Sequence, residues 1–255
     1  MSNHVMAILL AILVWWFSTG LVLILCALPQ RTFRWSMIGA SALMALAMYE
    51  LVRSAWDPGP AGAYIAFLSA LGVWGWIEMT FLTGLITGPR TTPCPNGVEG
   101  WPRFRMALQA LLYHELTILF WAVAIIALTW HAPNQIGTLA FLILMVMRIS
   151  AKLNIFLGVP NLTDEFLPER LAYLKSYFRK GDVNLLFPVS IFGSGMAAML
   201  LVQKALTADG AGFVLLFALI ALAILEHLFM ILPIPDAVLW RWVMPSVKEA
   251  DKHCP

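Results

Sequence analysis

Seven residues able to do chemistry stand out because of where they sit. Glu78, His114, Glu115, Arg148, Lys152, Glu226 and His227 are embedded in stretches that are otherwise apolar. A charge in hydrocarbon is costly, so such residues face the interior of a helix bundle and find partners there. Three kinds of chemistry are open to them. The glutamates can form buried ion pairs with Arg148 and Lys152 that fix helix packing. The sequence does not decide which of Glu115 and Glu78 faces Arg148. Alternatively, the Glu and His side chains include the ligand types of a carboxylate-bridged metal site. Bundle sites of that kind use Glu-x-x-His at i,i+3. Here His114-Glu115 and Glu226-His227 are adjacent pairs, whose side chains point about 100° apart around a helix, and the nearby cations oppose a metal. Lastly, His114 or His227 could serve as the axial ligand of a tetrapyrrole. The ion-pair network is the leading expectation. P-loop, Gly-x-Ser-x-Gly, His-Glu-x-x-His and dinucleotide-binding patterns are all missing.

The elements that must hold these residues are membrane spans. The 255-residue chain is 61% hydrophobic and 12% charged, with mean hydropathy +0.82. A soluble domain is about half apolar and a quarter charged. The net charge of +2 gives no reason to expect a nucleic-acid partner. Apolar stretches long enough to cross a bilayer predict an all-α, polytopic membrane protein with seven spans in one domain. They cover about 5–28, 36–52, 61–87, 106–130, 135–157, 183–202 and 211–232, bounded by Pro, Gly and charge, with a bend at Pro188 in the sixth. Small residues offer close helix contacts at Ser41 and Ala45, and at Gly72 and Gly75. Glu50 and Arg53 are spaced for a local ion pair. Cys26, Cys94 and Cys254 show no metal-binding spacing and are expected as free thiols.

Orientation follows from lysine and arginine. With the amino terminus outside, the inner segments hold fourteen of the sixteen basic residues, and the outer ones only Arg53 and Lys204. Setting aside Arg148 and Lys152, which lie within a span, leaves the bias intact. The amino terminus is therefore expected to be periplasmic and the carboxyl terminus cytoplasmic. Trp35, Trp101, Trp240 and Trp242 then mark the inner interface, and Trp56 and Trp130 the outer one. At ~1.5 Å per residue, Glu78, Glu115 and Arg148 each fall about 13–14 Å from the inner ends of their spans, with Glu226 and Lys152 at roughly 9 Å.

Residues 158–182 form the one long stretch between spans, and on this orientation it is cytoplasmic. Pro168 suits the first turn of an α-helix and Gly181 its end. Leu167, Leu171, Leu174 and Phe178 then share one helical face. That stripe either lies in the bilayer interface or docks a partner.

The stretches Trp74-Gly-Trp-Ile-Glu-Met-Thr-Phe-Leu-Thr-Gly-Leu-Ile-Thr-Gly-Pro-Arg90, Leu112-Tyr-His-Glu115, Phe156-Leu-Gly-Val-Pro-Asn161, Glu165-Phe-Leu-Pro168, Tyr173-Leu-Lys-Ser-Tyr-Phe178 and Leu239-Trp-Arg-Trp242 resemble the PuhE family. These are photosynthetic complex assembly proteins of phototrophic bacteria, and the resemblance runs over nearly the whole chain. It implies an inner-membrane factor, in the cytoplasmic or intracytoplasmic membrane, that supports formation of the reaction centre and its light-harvesting antenna. Its partners would be membrane lipid, reaction-centre or light-harvesting subunits and other assembly factors. It would act by modulating bacteriochlorophyll supply, with bacteriochlorophyll or a precursor as the candidate ligand. The resemblance supplies no catalytic or binding residues. A membrane enzyme of tetrapyrrole metabolism using the Glu/His layer, and a transporter or pigment carrier, are the alternatives.

Overall fold

The computed structural model describes residues 3–162, 167–207 and 210–232. Glu165 and the tail beyond Leu232, with Trp240, Arg241, Trp242, Lys248, Lys252 and Cys254, lie outside them. Seven helices are long and apolar enough to cross a membrane: α1 (Asn3–Ala27), α2 (Phe33–Ala55), α3 (Pro60–Leu82), α4 (Gly100–Thr129), α5 (Ile136–Leu157), α6 (Leu186–Thr207) and α7 (Ala211–Phe229). Among the described residues there is no strand beyond an isolated bridge between Val159 and Lys180.

The central helix is α3. Ala63, Phe67, Ala70, Val73 and Ile77 are buried along it, as expected of a helix surrounded by others rather than by lipid. Small residues let its neighbours approach. A Cβ on Gly72 would lie 3.1 Å from that of Ala47 on α2, and one on Gly137 of α5 would lie 2.9 Å from the Ala66 carbonyl. Gly75 has open space, and Ala45 is exposed, so neither makes the close contact expected of it. Ser41 instead accepts a hydrogen bond from Trp76 Nε1 at 3.0 Å. Glu50 and Arg53 pair locally at 2.6 Å.

At the end of the bundle where α2 meets the α4–α5 turn, Asn134 ties the elements together. Its amide donates to the Ser54 carbonyl at 2.9 Å, and its carbonyl oxygen accepts the Ile136 N–H at 3.1 Å. The opposite end is basic. Two arginines there, Arg170 and Arg103, reach carbonyls at the carboxyl ends of helices, where cations are favoured, and a third, Arg90, ties the loop to Tyr177. Arg170 donates to Cys26 O at 2.9 Å and lies 4.2 Å over the Phe33 ring. Arg103 donates to Phe156 O and Tyr177 O, at 3.2 and 2.7 Å. Arg90 donates to Tyr177 Oη at 2.6 Å and to Pro93 O at 3.0 Å. Cys26 and Cys94 are free thiols.

Three sequence expectations need correction at this basic end. The third span stops at Leu82 rather than 87, and residues 83–92 fold back along α4 without helix. Thr87 O accepts the His114 N–H at 2.9 Å, and Gly88 leaves no space for a Cβ, which would sit 2.1 Å from Gln109 O. Thr87 and Gly88 are buried against α4, where the helix satisfies the Thr87 carbonyl that irregular backbone would otherwise leave unpaired. The sixth helix starts at Leu186 because Asn184 Oδ1 caps it, accepting the N–H groups of Leu186 and Phe187. Pro188 therefore lies near the amino-terminal end of α6 rather than in its interior.

The third correction concerns the proposed docking stripe. Glu169–Tyr177 is a 3-10 helix, and its period of three places Leu171, Leu174 and Tyr177 on one side. Leu171 is 1% exposed and Leu174 4%. They pack with Phe81 of α3 and Ala110 of α4, and Leu167 and Phe178 lean on the same cluster. The apolar stripe is filled by the chain's own helices, so it is not a free face for a partner.

Candidate functional site

The polar residues of the spans come together between α3, α4, α5 and α7, except that Glu226, expected to face the interior, is exposed on α7. Arg148 Nη2 donates to Glu78 Oε2 at 2.8 Å. Lys152 Nζ donates to Glu115 Oε1 at 2.6 Å. Glu226 Oε1 accepts from Trp15 Nε1 of α1 at 2.8 Å. Of the two carboxylates considered for Arg148, Glu78 is the one it meets. Glu115, expected at the depth of Arg148, instead pairs with Lys152, one turn away on α5. The reason is axial offset. With α3 ending at Leu82 and α4 beginning at Gly100, Glu78 and Glu115 are not equidistant from the basic end, as counting from residues 87 and 106 implied.

α5 carries a second polar face. Ser150 and Asn154 are four residues apart, about 200° around the helix from Arg148 and Lys152. Asn154 Nδ2 donates to Ser190 Oγ of α6 at 3.1 Å, and Ser190 Oγ donates to Leu186 O at 2.9 Å. His227 Nδ1 donates to Ala223 O at 2.9 Å, and its Nε2 lies 3.0 Å from Ser150 Oγ, which is also 2.8 Å from Ser190 Oγ. Sequence reading passed over Ser150, Ser190 and Trp15. The signal for the first was present as the repeat Arg148-x-Ser-x-Lys-x-Asn154. Nothing in the sequence points to Trp15, since an indole in a span is unremarkable until its N–H faces a carboxylate.

The two histidines differ. His227 has both ring nitrogens engaged. His114 is 0% exposed, stacks against Phe81 with ring centroids 4.4 Å apart, and has no hydrogen-bond partner at either ring nitrogen. In this packing neither presents an accessible free nitrogen to a tetrapyrrole. Among the described residues no three His, Cys, Asp or Glu side chains converge as a metal site. Glu115 and His114 diverge, the first toward Lys152 and the second toward Phe81, as their adjacency on one helix requires. The arrangement holds two cations against two glutamates, with Glu226 as a third carboxylate. Its immediate capability is to lock α3, α4, α5 and α7 in register.

The model of a family described as a protein of unknown function (DUF3623) matches residues 1–251. An uncharacterized 30.4 kDa protein in the puhA 5' region of Rhodobacter capsulatus is 41% identical over 257 residues, covering 98% of this chain and 94% of that protein. No solved structure matches.

Proposed function

The chain belongs to the DUF3623 family, and we propose that it is an inner-membrane assembly factor for the bacterial photosynthetic reaction centre and its light-harvesting antenna. The observation that carries this reading is the full-length relative in the puhA 5' region, since that neighbourhood implies a photosynthesis gene cluster. The geometry supports a scaffold rather than a catalyst. The charged layer is largely closed on itself by Arg148–Glu78 and Lys152–Glu115, so the outer surface of the bundle is left to meet other proteins. The clustering of Arg31, Arg34, Arg90, Arg103, Arg105, Arg170, Arg179 and Lys180 toward one end supports placing that end in the cytoplasm and the amino terminus in the periplasm.

Deleting the gene in a phototrophic host and recording the membrane absorption of reaction centre and antenna tests the proposal. Both should fall and recover on complementation; unchanged spectra would overturn it. The purified protein separates the modes of action. Bound bacteriochlorophyll or a precursor indicates a role in pigment supply. Stoichiometric iron, manganese or zinc would replace assembly by membrane enzymology.

A further inference from the structure

Glu226 is the one carboxylate of the polar layer without a cation. Trp15 occupies Oε1, and the other oxygen has no hydrogen-bond or ion-pair partner among the described residues. Its side chain is exposed on the outside of α7. Arg148 of the same layer is paired with Glu78 yet has 40% of its side chain exposed. Both therefore open laterally, toward the space that lipid or another membrane protein occupies. The apolar belt continues past them toward the basic end, for Leu157, Leu185 and Leu232 are exposed there. A carboxylate and a guanidinium turned outward within that belt are costly if hydrocarbon covers them.

We propose that the exposed Glu226 side chain, where α7 meets α1 through Trp15, docks a membrane-spanning helix of a client protein that presents a hydrogen-bond-donating side chain to it. Charge complementarity selects the occupant. The layer contributes three carboxylates and two cations, so the missing component is a donor, such as Arg, Lys, His, Trp or a carboxamide. Acyl chains supply none. A second copy of this chain would bring another exposed glutamate to the same level, and like charges repel. The proposal rests on the assembly reading only for the identity of the client.

The test places a photo-crosslinking amino acid at Leu225, exposed beside Glu226, or at Phe192, exposed on α6, in the full chain in native membranes. The Leu225 position should form an adduct with a spanning segment of a reaction-centre or antenna subunit, within one turn of a donor side chain; Phe192 should not. Glu226→Leu should reduce the adduct by about 3- to 30-fold, the range for one interhelical hydrogen bond in a bilayer, and Glu226→Gln, which keeps an acceptor oxygen, should reduce it less. Should Glu226→Leu fail to accumulate, Glu226→Met decides. Adducts with lipid alone, with a second copy, or indifferent to Glu226 would overturn the docking. If the deletion strain builds its complexes normally, the assembly reading fails by itself. If that strain is defective while Glu226→Leu restores it fully, only the docking fails.

Discussion

Arg148→Met gives the sharpest test of the paired layer. The substitution keeps an unbranched apolar stem in place and removes the guanidinium that holds Glu78 Oε2 at 2.8 Å. Glu78 has a side chain only 14% exposed, and its Oε1 is buried without a partner, so no second group takes over. Breaking a buried pair costs about 3–5 kcal/mol. The variant should therefore lose about 3–5 kcal/mol, read as reduced abundance in membranes and as earlier unfolding of the detergent-purified protein. Adding Glu78→Gln removes the stranded charge and should recover most of the loss. Adding Glu115→Gln should not, because that carboxylate belongs to Lys152, and removing it strands a second charge. Rescue by Glu115→Gln equal to that by Glu78→Gln would refute the assignment of partners. A variant with wild-type abundance and unfolding would refute the structural role of the pair.

The remaining predictions concern the basic end and the orientation. Gly88→Ala forces a methyl group against the Gln109 carbonyl and should cost about 1–3 kcal/mol or more, measured by unfolding in detergent, whereas Gly97→Ala, with no atom nearby but a positive φ, should cost about 1 kcal/mol. Leu171→Glu with Leu174→Glu should sharply lower accumulation of the protein itself, because both side chains are buried against Phe81 and Ala110; normal abundance with only a lost partner would restore the docking stripe. A cytoplasm-active reporter fused after Pro255 should be active and one inserted within residues 131–134 silent; the reverse pattern would invert the proposed orientation.

The spans were legible in the sequence because crossing a bilayer is a local demand. Length and apolarity decide it, and no knowledge of neighbours is needed. The charged residues placed within spans were legible as the exceptional ones, since hydrocarbon tolerates few of them, but that all of them face inward did not follow, for Glu226 is exposed on α7. Which glutamate meets which cation was not legible. That depends on axial offset between helices, and the offset is set by three-dimensional features: the fold-back at Gly88, the early start of α4 at Gly100, and the collar of Arg90, Arg103 and Arg170. The segment Glu169–Tyr177 makes the same point at the local level. Its leucines fit a helix of period 3.6 or 3.0 nearly equally well in sequence. Packing against Phe81 and Ala110 selected the second, because it buries Leu171, Leu174 and Tyr177 together. Glu226 was visible as a charge in a span, but only the packing of α1 beside α7 turned it outward, with Trp15 on one oxygen and the other left for a partner.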